Sequence, residues 1–274
     1  MNTKLKIKNL KLKITIGWLY PELMSTYGDR GNIIVLSKRC EWRNISVEIK
    51  KLEPGFKTED LKNCDLLLMG GAQDKQQKIV SEDLKQKRDI LYDMIENGVP
   101  GLYVCGAYQF LGKYYKEADG TIINGLGIFD IHTENPGGSS PRLIGNIITS
   151  LCHPELISGS RPKRDSDLRQ NDSEIMLVGF ENHGGRTYLG KTIQPLSNVT
   201  IGYGNNGIDK TEGAIYKNSF GTYLHGPILP KNPEFADLLI KLALKKKYKK
   251  DIDLSLLDDS LEWQAHEAII QRLG

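Results

Sequence analysis

Residues 101–112 read Gly-Leu-Tyr-Val-Cys-Gly-Ala-Tyr-Gln-Phe-Leu-Gly, an apolar run that stops at Cys105 and then changes to a helical pattern. This change predicts a buried strand, a tight turn at the cysteine and a helix directly behind it. The sulfur would be exposed at the turn, where helix N–H groups and their partial positive charge favour thiolate over thiol. Cysteine is also often buried as a small apolar residue. The stretch therefore predicts a strand–turn–helix unit and leaves Cys105 open as a nucleophile or a packing residue.

A histidine that could serve such a cysteine follows another apolar run. His225 ends the stretch 219–225 and precedes Gly226 and Pro227, which places it at a strand end rather than within a core. Cysteine–histidine partners are commonly distant in sequence and adjacent only in the fold. A lone histidine is more often structural than catalytic, but two strand-end residues of complementary chemistry favour catalysis. We predict Cys105 as a nucleophile and His225 as its base.

The first half of the chain alternates apolar runs with helical patterns, which predicts a parallel sheet with helices on both faces. The predicted strands are 14–19, 46–50, 66–69 and 102–104, and the predicted helices are 31–42 and 81–97, the second capped by Ser81. Short β-like runs fill 121–223, so we expect this part to extend the sheet and fold over the site. Active sites of such sheets lie at the carboxyl ends of strands, where Cys105 falls.

Composition excludes several classes of protein. The chain has 274 residues, 39% of them hydrophobic, which is enough to bury a full core. No window approaches the roughly 18 apolar residues of a membrane span, and the N-terminus lacks the apolar core of a signal peptide. The four cysteines have no CxxC spacing, which argues against a zinc site or a disulfide framework. We expect a reducing, cytoplasmic location.

The charge pattern does not predict a nucleic-acid partner. The net charge is only +3. The one dense basic run, 245–250, follows an apolar helix face that begins near Pro233. Cations in the last turn of a helix interact favourably with its dipole. We therefore interpret this run as a solvated helix end.

A set of motifs, in a fixed order along the chain, resembles the class I glutamine amidotransferases of the cobyric-acid-synthase-like branch. The motifs are Tyr27-Gly-Asp-Arg-Gly-Asn32, Met69-Gly-Gly-Ala-Gln-Asp74, the Cys105 stretch, Phe180-Glu-Asn-His-Gly-Gly185 and Gly221-Thr-Tyr-Leu-His-Gly-Pro-Ile-Leu-Pro-Lys-Asn232. The resemblance runs from Ile14 to Leu244. It implies an α/β, flavodoxin-like class I glutamine amidotransferase fold, with a mostly parallel central sheet flanked by helices and an added β-rich part.

The resemblance also implies a chemistry. Cys105 would attack the side-chain amide of glutamine, release ammonia and form a glutamyl thioester, while His225 would shuttle the protons. The oxyanion hole would use the backbone N–H groups of Gly106 and Gly71, the second from a glycine turn that ends a predicted strand. Arg142 matches the family's arginine that grips the α-carboxylate of glutamine, for which a guanidinium is well suited.

One position departs from the wider class. Most class I glutaminases carry a carboxylate two residues after the histidine, where it orients the imidazole; here that position is Pro227. The cobyric-acid-synthase-like branch shares this absence, which leaves the third member of the site open. Glu181 and Asp29 are candidates by motif position only. His183 either helps to shape the site or has a structural role in its turn.

Free ammonia needs a consumer, so the resemblance implies a partner. The members of the family that this chain resembles pair with a Mur-ligase-like (MurT-like), ATP-dependent synthetase, which the resemblance implies as the partner here. That synthetase activates the α-carboxylate of the D-glutamate in lipid II, and ammonia converts it to D-isoglutamine. ATP and magnesium would then bind to the partner, and we expect no cofactor and no metal in this chain.

The expected domain organisation is simple. We predict a class I glutamine amidotransferase domain over residues 1–250 and a C-terminal helical extension over 251–274. Residues 158–172 are polar and aperiodic, which predicts a flexible surface loop. The extension has a helical pattern over 261–270, and the sequence assigns no chemistry to it.

Three functions remain open at this point. The first is a glutaminase subunit that serves lipid II amidation. The second is a related glutaminase for another acceptor, such as a corrinoid, or a stand-alone cysteine hydrolase of flavodoxin-like fold. The third is a non-catalytic scaffold that stabilises a ligase. The presence of Cys105, His225 and Arg142 argues against the third, because a decayed site should have lost at least one of them.

Overall fold

The computed structural model describes residues 11–25, 28–72, 74–138, 140–153 and 175–273, so the predicted loop at 158–172 lies outside the described residues. In chain order, the strands are β1 (Lys13–Leu19), β2 (Ser46–Leu52), β3 (Leu66–Met69), β4 (Gly101–Val104), β5 (Tyr114–Lys116), β6 (Ile122–Asn124), β7 (Ile131–Glu134), β8 (Leu143–Leu151), β9 (Met176–His183), β10 (Arg186–Leu189), β11 (Ser197–Ile201), β12 (Thr211–Glu212), β13 (Ala214–Tyr216) and β14 (Ser219–Thr222). The helices are α1 (Arg30–Glu41), α2 (Thr58–Lys62), α3 (Asp74–Gln86), α4 (Arg88–Glu96), α5 (Gly106–Leu111), α6 (Pro233–Tyr248) and α7 (Ser260–Leu273), with a 3-10 turn at Leu229–Lys231.

The central sheet has the strand order β13-β14-β4-β3-β1-β2. All neighbouring pairs are parallel except β13 and β14, which form an antiparallel pair at one edge. The strands predicted at 14–19, 46–50, 66–69 and 102–104 all belong to this sheet. Because β4 lies between β3 and β14, the carboxyl ends of three neighbouring strands meet at one edge.

Helices cover both faces of the central sheet. Its inner strands are continuously apolar, so both of their faces have to be buried. In β3, Leu66 and Leu68 belong to the core that contains the apolar residues of α1 and α6. Leu67 and Met69, on the opposite face, belong to the core that contains those of α3, α4 and α5. This alternation fixes the strand between two helical layers, as the sequence predicts.

The β-rich half differs from the prediction. Only β13 and β14 extend the central sheet, whereas the other strands form two separate four-stranded sheets, β10-β7-β5-β6 and β12-β11-β8-β9. The expectation that 121–223 extends the central sheet is therefore wrong for most of that part. The short runs show only a period of two, and such a pattern does not reveal which sheet a strand joins.

The helix predicted at 81–97 is also wrong in its bounds. The structure has two helices here, α3 and α4, which break at Lys87 (φ −101°, ψ 2°). Ser81 is therefore not a cap but a buried residue inside α3. The apolar residues that suggested one helix, Leu84 and Leu91 among them, are buried in the same core although they lie on two helices. Without a Gly or Pro at the break, the sequence carries no signal for it.

The C-terminal extension is packed onto the domain. Its helix α7 contacts the 3-10 turn Leu229–Lys231 and the strands β8 and β9. The chain between α6 and α7 passes α1, where the Arg43 guanidinium donates to the Ser255 carbonyl oxygen at 2.7 Å. The extension therefore touches the elements that lead into and out of the site described next.

Candidate active site

Cys105 lies at the turn between β4 and α5, where the sequence predicts it. Its backbone has φ +53° and ψ −106°, outside the regions that residues with a side chain ordinarily adopt. The Cys105 N–H donates to the Thr222 carbonyl at 2.8 Å, and its carbonyl accepts from the Gln109 N–H at 3.0 Å. Strained backbone persists where the surroundings over-determine it, and it concentrates at active sites. The cysteine is partly exposed.

His225 lies beside this turn. It follows β14 by three residues, and β14 pairs in parallel with β4, so the two strand ends are neighbours. The His225 backbone exchanges two hydrogen bonds with Phe180 of β9, and the residue is fully buried. Its ring is close enough to Cys105 for the charge of the sulfur to raise the pKa of the imidazole. The fold thus brings the predicted nucleophile and base together.

Asp29 is the carboxylate that faces this histidine. It is fully buried immediately before α1, and its Oδ1 lies 3.3 Å from His225 Nδ1. Its second oxygen, Oδ2, accepts a hydrogen bond from the Gly71 N–H at 2.8 Å. Of the two carboxylates that the sequence left open, Asp29 is the one placed against His225. A nucleophile, a base and an orienting group therefore follow one another, as in other activated cysteine and serine sites.

The electrostatics of the site keep a proton on the imidazole. Burial lowers the pKa of His225, but the charge of the Cys105 thiolate and the hydrogen bond to Asp29 outweigh it and raise this pKa to about 10. A nearby negative charge favours the protonated ring. At neutral pH an imidazolium therefore stands next to the sulfur, ready to donate its proton to a leaving group.

The two residues predicted for the oxyanion hole follow the neighbouring strands β3 and β4. Gly106 is the first residue of α5, where backbone N–H groups have no partner within the helix. The Gly71 N–H is directed at Asp29 in this structure. Crowding explains the glycine before it, because a Cβ on Gly70 would lie 2.5 Å from the Met24 carbonyl oxygen. Both assignments stay predictions, and Gly71 already has an acceptor.

Glu181, the other candidate carboxylate, binds backbone N–H groups outside the Cys105–His225 pair. Its two oxygens accept hydrogen bonds from the N–H groups of Tyr203 and Gly204 at 2.7 and 2.9 Å. His183 Nε2 lies 3.8 Å from Glu181, and its Nδ1 lies 2.8 Å from the Gly185 carbonyl oxygen. Burial lowers the pKa of His183. These contacts hold the end of β9 and the chain after β11, which is a structural role.

Sequence reasoning missed a buried polar cluster beside Cys105. The Tyr223 hydroxyl lies 3.0 Å from Gln109 Nε2 and 2.6 Å from Thr187 Oγ1. The Tyr223 ring also stacks on His183, with centroids 3.6 Å apart. Burial and the charge of Cys105 raise the pKa of Tyr223. The available signal was the spacing of Gln109, which lies one helical turn after the cysteine.

Arg142 lies immediately before β8 with its side chain exposed. Its Nε and Nη2 donate to the side-chain and backbone oxygens of Asn182, at 2.9 and 3.0 Å. A Cβ on Gly184 would lie 3.4 Å from Arg142 Nη1. Arg142 therefore lies beside the carboxyl end of β9, next to the Phe180–Gly185 motif. No contact joins it to Cys105 in the described residues, and its role in binding a carboxylate stays a prediction.

One string resembles a different kind of site. Residues 185–192 have the spacing GxxxxGK[ST] of a phosphate-binding loop, which in that role connects a strand to a helix. Here residues 186–189 are an antiparallel strand paired with β7, and the Thr192 hydroxyl donates to Asp130. The string thus belongs to a sheet and gives no support to ATP binding by this chain.

Within the residues that the structure describes, no group of three or more His, Cys, Asp or Glu side chains is placed to hold a metal ion. No helix in the same ranges is both long enough and apolar enough to cross a membrane.

Comparison with known proteins identifies relatives along almost the whole chain. The model of the CobB/CobQ-like glutamine amidotransferase domain family matches residues 15–233. The chain is 39% identical to the protein named lipid II isoglutaminyl synthase (glutamine-hydrolysing) subunit GatD of Staphylococcus aureus, over 95% of this chain and 96% of that protein. It is 38% identical to the Streptococcus pneumoniae protein of the same name, over 94% of this chain and 91% of that protein.

The fold has a counterpart among solved structures. PurLQS from Thermotoga maritima superposes with a TM-score of 0.54 at 13% identity, covering 88% of this chain and 100% of that chain. At this level of identity the likeness concerns the fold alone. Together with the family match, it confirms the predicted α/β amidotransferase fold with a mostly parallel central sheet.

Proposed function

This chain belongs to the CobB/CobQ-like glutamine amidotransferase family, and we propose that it is the glutaminase subunit of an enzyme that amidates lipid II. In this role it hydrolyses L-glutamine and supplies the ammonia that converts the D-glutamate of the lipid II stem peptide to D-isoglutamine. The match to two proteins named GatD, each over nine-tenths of both chains, supports the choice of acceptor.

The observation that carries the proposal is the arrangement of three side chains. Cys105 stands at a strained strand end, its charge acts on the neighbouring His225 ring, and His225 lies 3.3 Å from Asp29. These residues come from three different elements, and nothing in ordinary core packing requires a thiol, an imidazole and a carboxylate to meet. Their order is that of an activated nucleophile, its acid–base partner and an orienting group.

The first half-reaction follows from the proton on His225. The Cys105 thiolate attacks the amide carbon of glutamine, forming a C–S bond and a tetrahedral oxyanion. When the C–N bond breaks, the imidazolium gives its proton to the leaving nitrogen, so that ammonia departs and a glutamyl thioester remains. With Nδ1 directed at Asp29, Nε2 is the ring atom that transfers the proton.

The second half-reaction uses the same residues in the reverse sense. The neutral imidazole of His225 removes a proton from water, which attacks the thioester carbonyl. The C–S bond breaks, glutamate leaves, and the thiolate and imidazolium are restored. Asp29 holds the ring in place and stabilises its charged form throughout, because an adjacent carboxylate favours imidazolium.

Substrate binding is assigned on chemistry and motif position. The Gly106 N–H and one N–H of the loop after β3 stabilise the oxyanion. Arg142, whose guanidinium is exposed and steadied by Asn182, binds the α-carboxylate of glutamine. The Gly71 N–H would have to turn from Asp29 or share it when the oxyanion forms.

The ammonia is consumed by a partner. We assign to a MurT-like, Mur-ligase-like synthetase the binding of ATP, magnesium and lipid II, and the activation of the carboxylate that ammonia attacks. Direct handover avoids loss of ammonia to protonation by water. The name shared by the two relatives, which describes a subunit, supports such an assembly.

The test measures ammonia release from L-glutamine by the wild-type chain, with and without the MurT-like synthetase. Cys105→Ala is expected to abolish release. Cys152→Ala, which alters a partly exposed cysteine outside the site, is the matched control and is expected to retain it. Amidation of lipid II by the complex, followed by mass spectrometry, tests the acceptor. Ammonia release without lipid II amidation would mean another acceptor, and no release from a folded complex would leave only the scaffold.

A further inference from the structure

The turn directly after His225 is held by a lysine. The Lys231 ammonium donates to the carbonyl oxygens of Gly226 and Pro227 at 2.7 and 3.1 Å. These are the two residues that follow His225, and Gly226 has φ +91°, which favours glycine. The chain leaving His225 is therefore fixed by hydrogen bonds from a charged donor, which are stronger than those from a neutral one.

Lys231 has an unusual environment for a lysine. Its side chain is partly buried, and burial lowers its pKa. Desolvating an ammonium costs free energy unless hydrogen bonds compensate for the lost water. Here the contacts to the turn supply them. A lysine that served only solubility would not be placed in this way.

The C-terminal helix α7 binds the backbone of Lys231. His266 of α7 is buried, and its Nδ1 lies 2.7 Å from the Lys231 carbonyl oxygen. Because a carbonyl oxygen only accepts hydrogen bonds, Nδ1 carries the proton. The helix also packs against β8 and β9, and β9 pairs with the His225 backbone through Phe180. The extension thus supports both sides of the histidine.

The same extension is fastened to the helix that follows Asp29. Asp259 accepts two hydrogen bonds from Arg39 of α1, at 2.5 and 3.0 Å. Arg39 is almost fully buried and forms a second bidentate pair with Asp237 of α6. Removing one member of such a buried network is costly, because it strands the others. The position of α1 is therefore tied to the extension.

We propose that Lys231 is a positioning residue for His225, and that residues 251–273 hold it in place through His266 and the Asp259–Arg39 pair. The proposal rests on the proposed function, in which His225 transfers the proton. It gives a role to the C-terminal extension, for which the sequence provided none.

The geometry explains why small displacements matter. The His225–Asp29 distance of 3.3 Å is already at the long end for a hydrogen bond. Phe180 fixes both the N–H and the C=O of His225, and the Lys231 contacts fix the turn that follows. Removing the ammonium loosens the turn that follows His225, and a misplacement of about 1 Å costs roughly 10²-fold in rate at a catalytic group.

The experiment compares Lys231→Met, which keeps the unbranched chain but removes the ammonium, with Lys231→Arg, which keeps the charge and donor groups. The control is Lys38→Met. Lys38 is an exposed lysine of α1 that pairs with Glu41 of the same helix. All are assayed as the full chain with its synthetase. We expect Lys231→Met to lower kcat for ammonia release about 10- to 100-fold with KM changed less than about threefold, Lys231→Arg to recover most of it, and Lys38→Met to have no effect.

A second readout does not depend on turnover. In the chain labelled with ¹⁵N-histidine, the pKa of the His225 ring is followed by NMR. We expect Lys231→Met to lower it, because the ring moves away from Asp29, and Lys38→Met to leave it unchanged. Asp259→Asn should shift it in the same direction by less.

An unchanged titration of His225 in folded Lys231→Met would overturn the proposal, as would a fall in kcat that Lys231→Arg shares in full. Either result would leave Lys231 with a role in stability alone. If the wild-type chain releases no ammonia, the proposed function fails, and the NMR titration still decides whether Lys231 positions the ring.

Discussion

Two histidines of this chain are buried beside a buried carboxylate, yet they have opposite properties. His225 Nδ1 lies 3.3 Å from Asp29, and His183 Nε2 lies 3.8 Å from Glu181. Burial lowers the pKa of both rings. At His225 the charge of Cys105 and the hydrogen bond to Asp29 reverse this effect and raise the pKa to about 10, whereas the pKa of His183 stays lowered.

Two things differ: His225 has the charge of Cys105 beside it, and the two carboxylates place their hydrogen bonds differently. Glu181 uses both oxygens to accept from backbone N–H groups and lies 3.8 Å from His183. Asp29 uses one oxygen for a backbone N–H and directs the other at His225. A buried acid next to a buried histidine is therefore not by itself a catalytic pair, and its other contacts decide whether it orients a base or holds a loop.

The largest effect that separates the two pairs is the loss of the histidine itself. His225→Asn is expected to lower kcat for ammonia release about 10²- to 10⁴-fold, since proton transfer by a positioned group is worth that much. His183→Asn, which removes an equally buried ring, is expected to remain within about tenfold of the wild type. A steady-state glutaminase assay checks both variants. Equal losses of kcat would mean that the two histidines do not differ in their role.

The carboxylates should differ in the same sense. Asp29→Asn removes a charge-assisted hydrogen bond worth about 1.5–3 kcal/mol, so kcat should fall about 10- to 100-fold. Activity of the wild type should decline as the pH rises through about 10, where His225 loses its proton. In Asp29→Asn this decline should move to lower pH, because the negative charge that favoured the imidazolium is gone.

Glu181→Gln should act mainly on stability. The amide can accept only one of the two N–H groups that the carboxylate now accepts, which leaves a buried polar group without its partner. Such a loss costs about 1–3 kcal/mol in the free energy of unfolding, with kcat close to that of the wild type. Urea denaturation beside the ammonia assay checks this; a rate loss as large as that of Asp29→Asn would mean that Glu181 takes part in catalysis.

The smallest effect is a difference in titration between the two rings. In the NMR spectrum of the wild-type chain, we expect His225 to remain protonated at pH 7 and to titrate near pH 10. We expect His183 to remain neutral until the pH is below 6.5, since burial disfavours its charge. If both rings titrated near pH 6.5, neither the raised pKa of His225 nor the lowered pKa of His183 would hold.

Sequence alone located the parts of the site that are strand ends. Cys105 and His225 could be found because each follows an apolar run, and parallel strands bring their carboxyl ends to one edge. The choice between Asp29 and Glu181 could not be made, because both stand in glycine-containing motifs and only the packing of α1 and β9 distinguishes them.

Other features had no local signal. The break between α3 and α4 at Lys87 has neither Gly nor Pro to mark it. The two separate β-sheets arise from pairings between distant strands, which a period of two does not specify. The contact of Lys231 with the turn after His225 lies within a recognised motif, yet it depends on a side-chain direction that the motif does not encode.

The central claim is that Cys105 is the residue that bonds to glutamine. The direct measurement is peptide mass spectrometry after treating the complex with 6-diazo-5-oxo-L-norleucine, an electrophilic analogue of glutamine. We predict a single covalent adduct on the peptide that contains Cys105, prevented by excess L-glutamine, with Cys40, Cys64 and Cys152 unmodified. Inactivation with the adduct on another residue, or with Cys105 unmodified, would contradict the account.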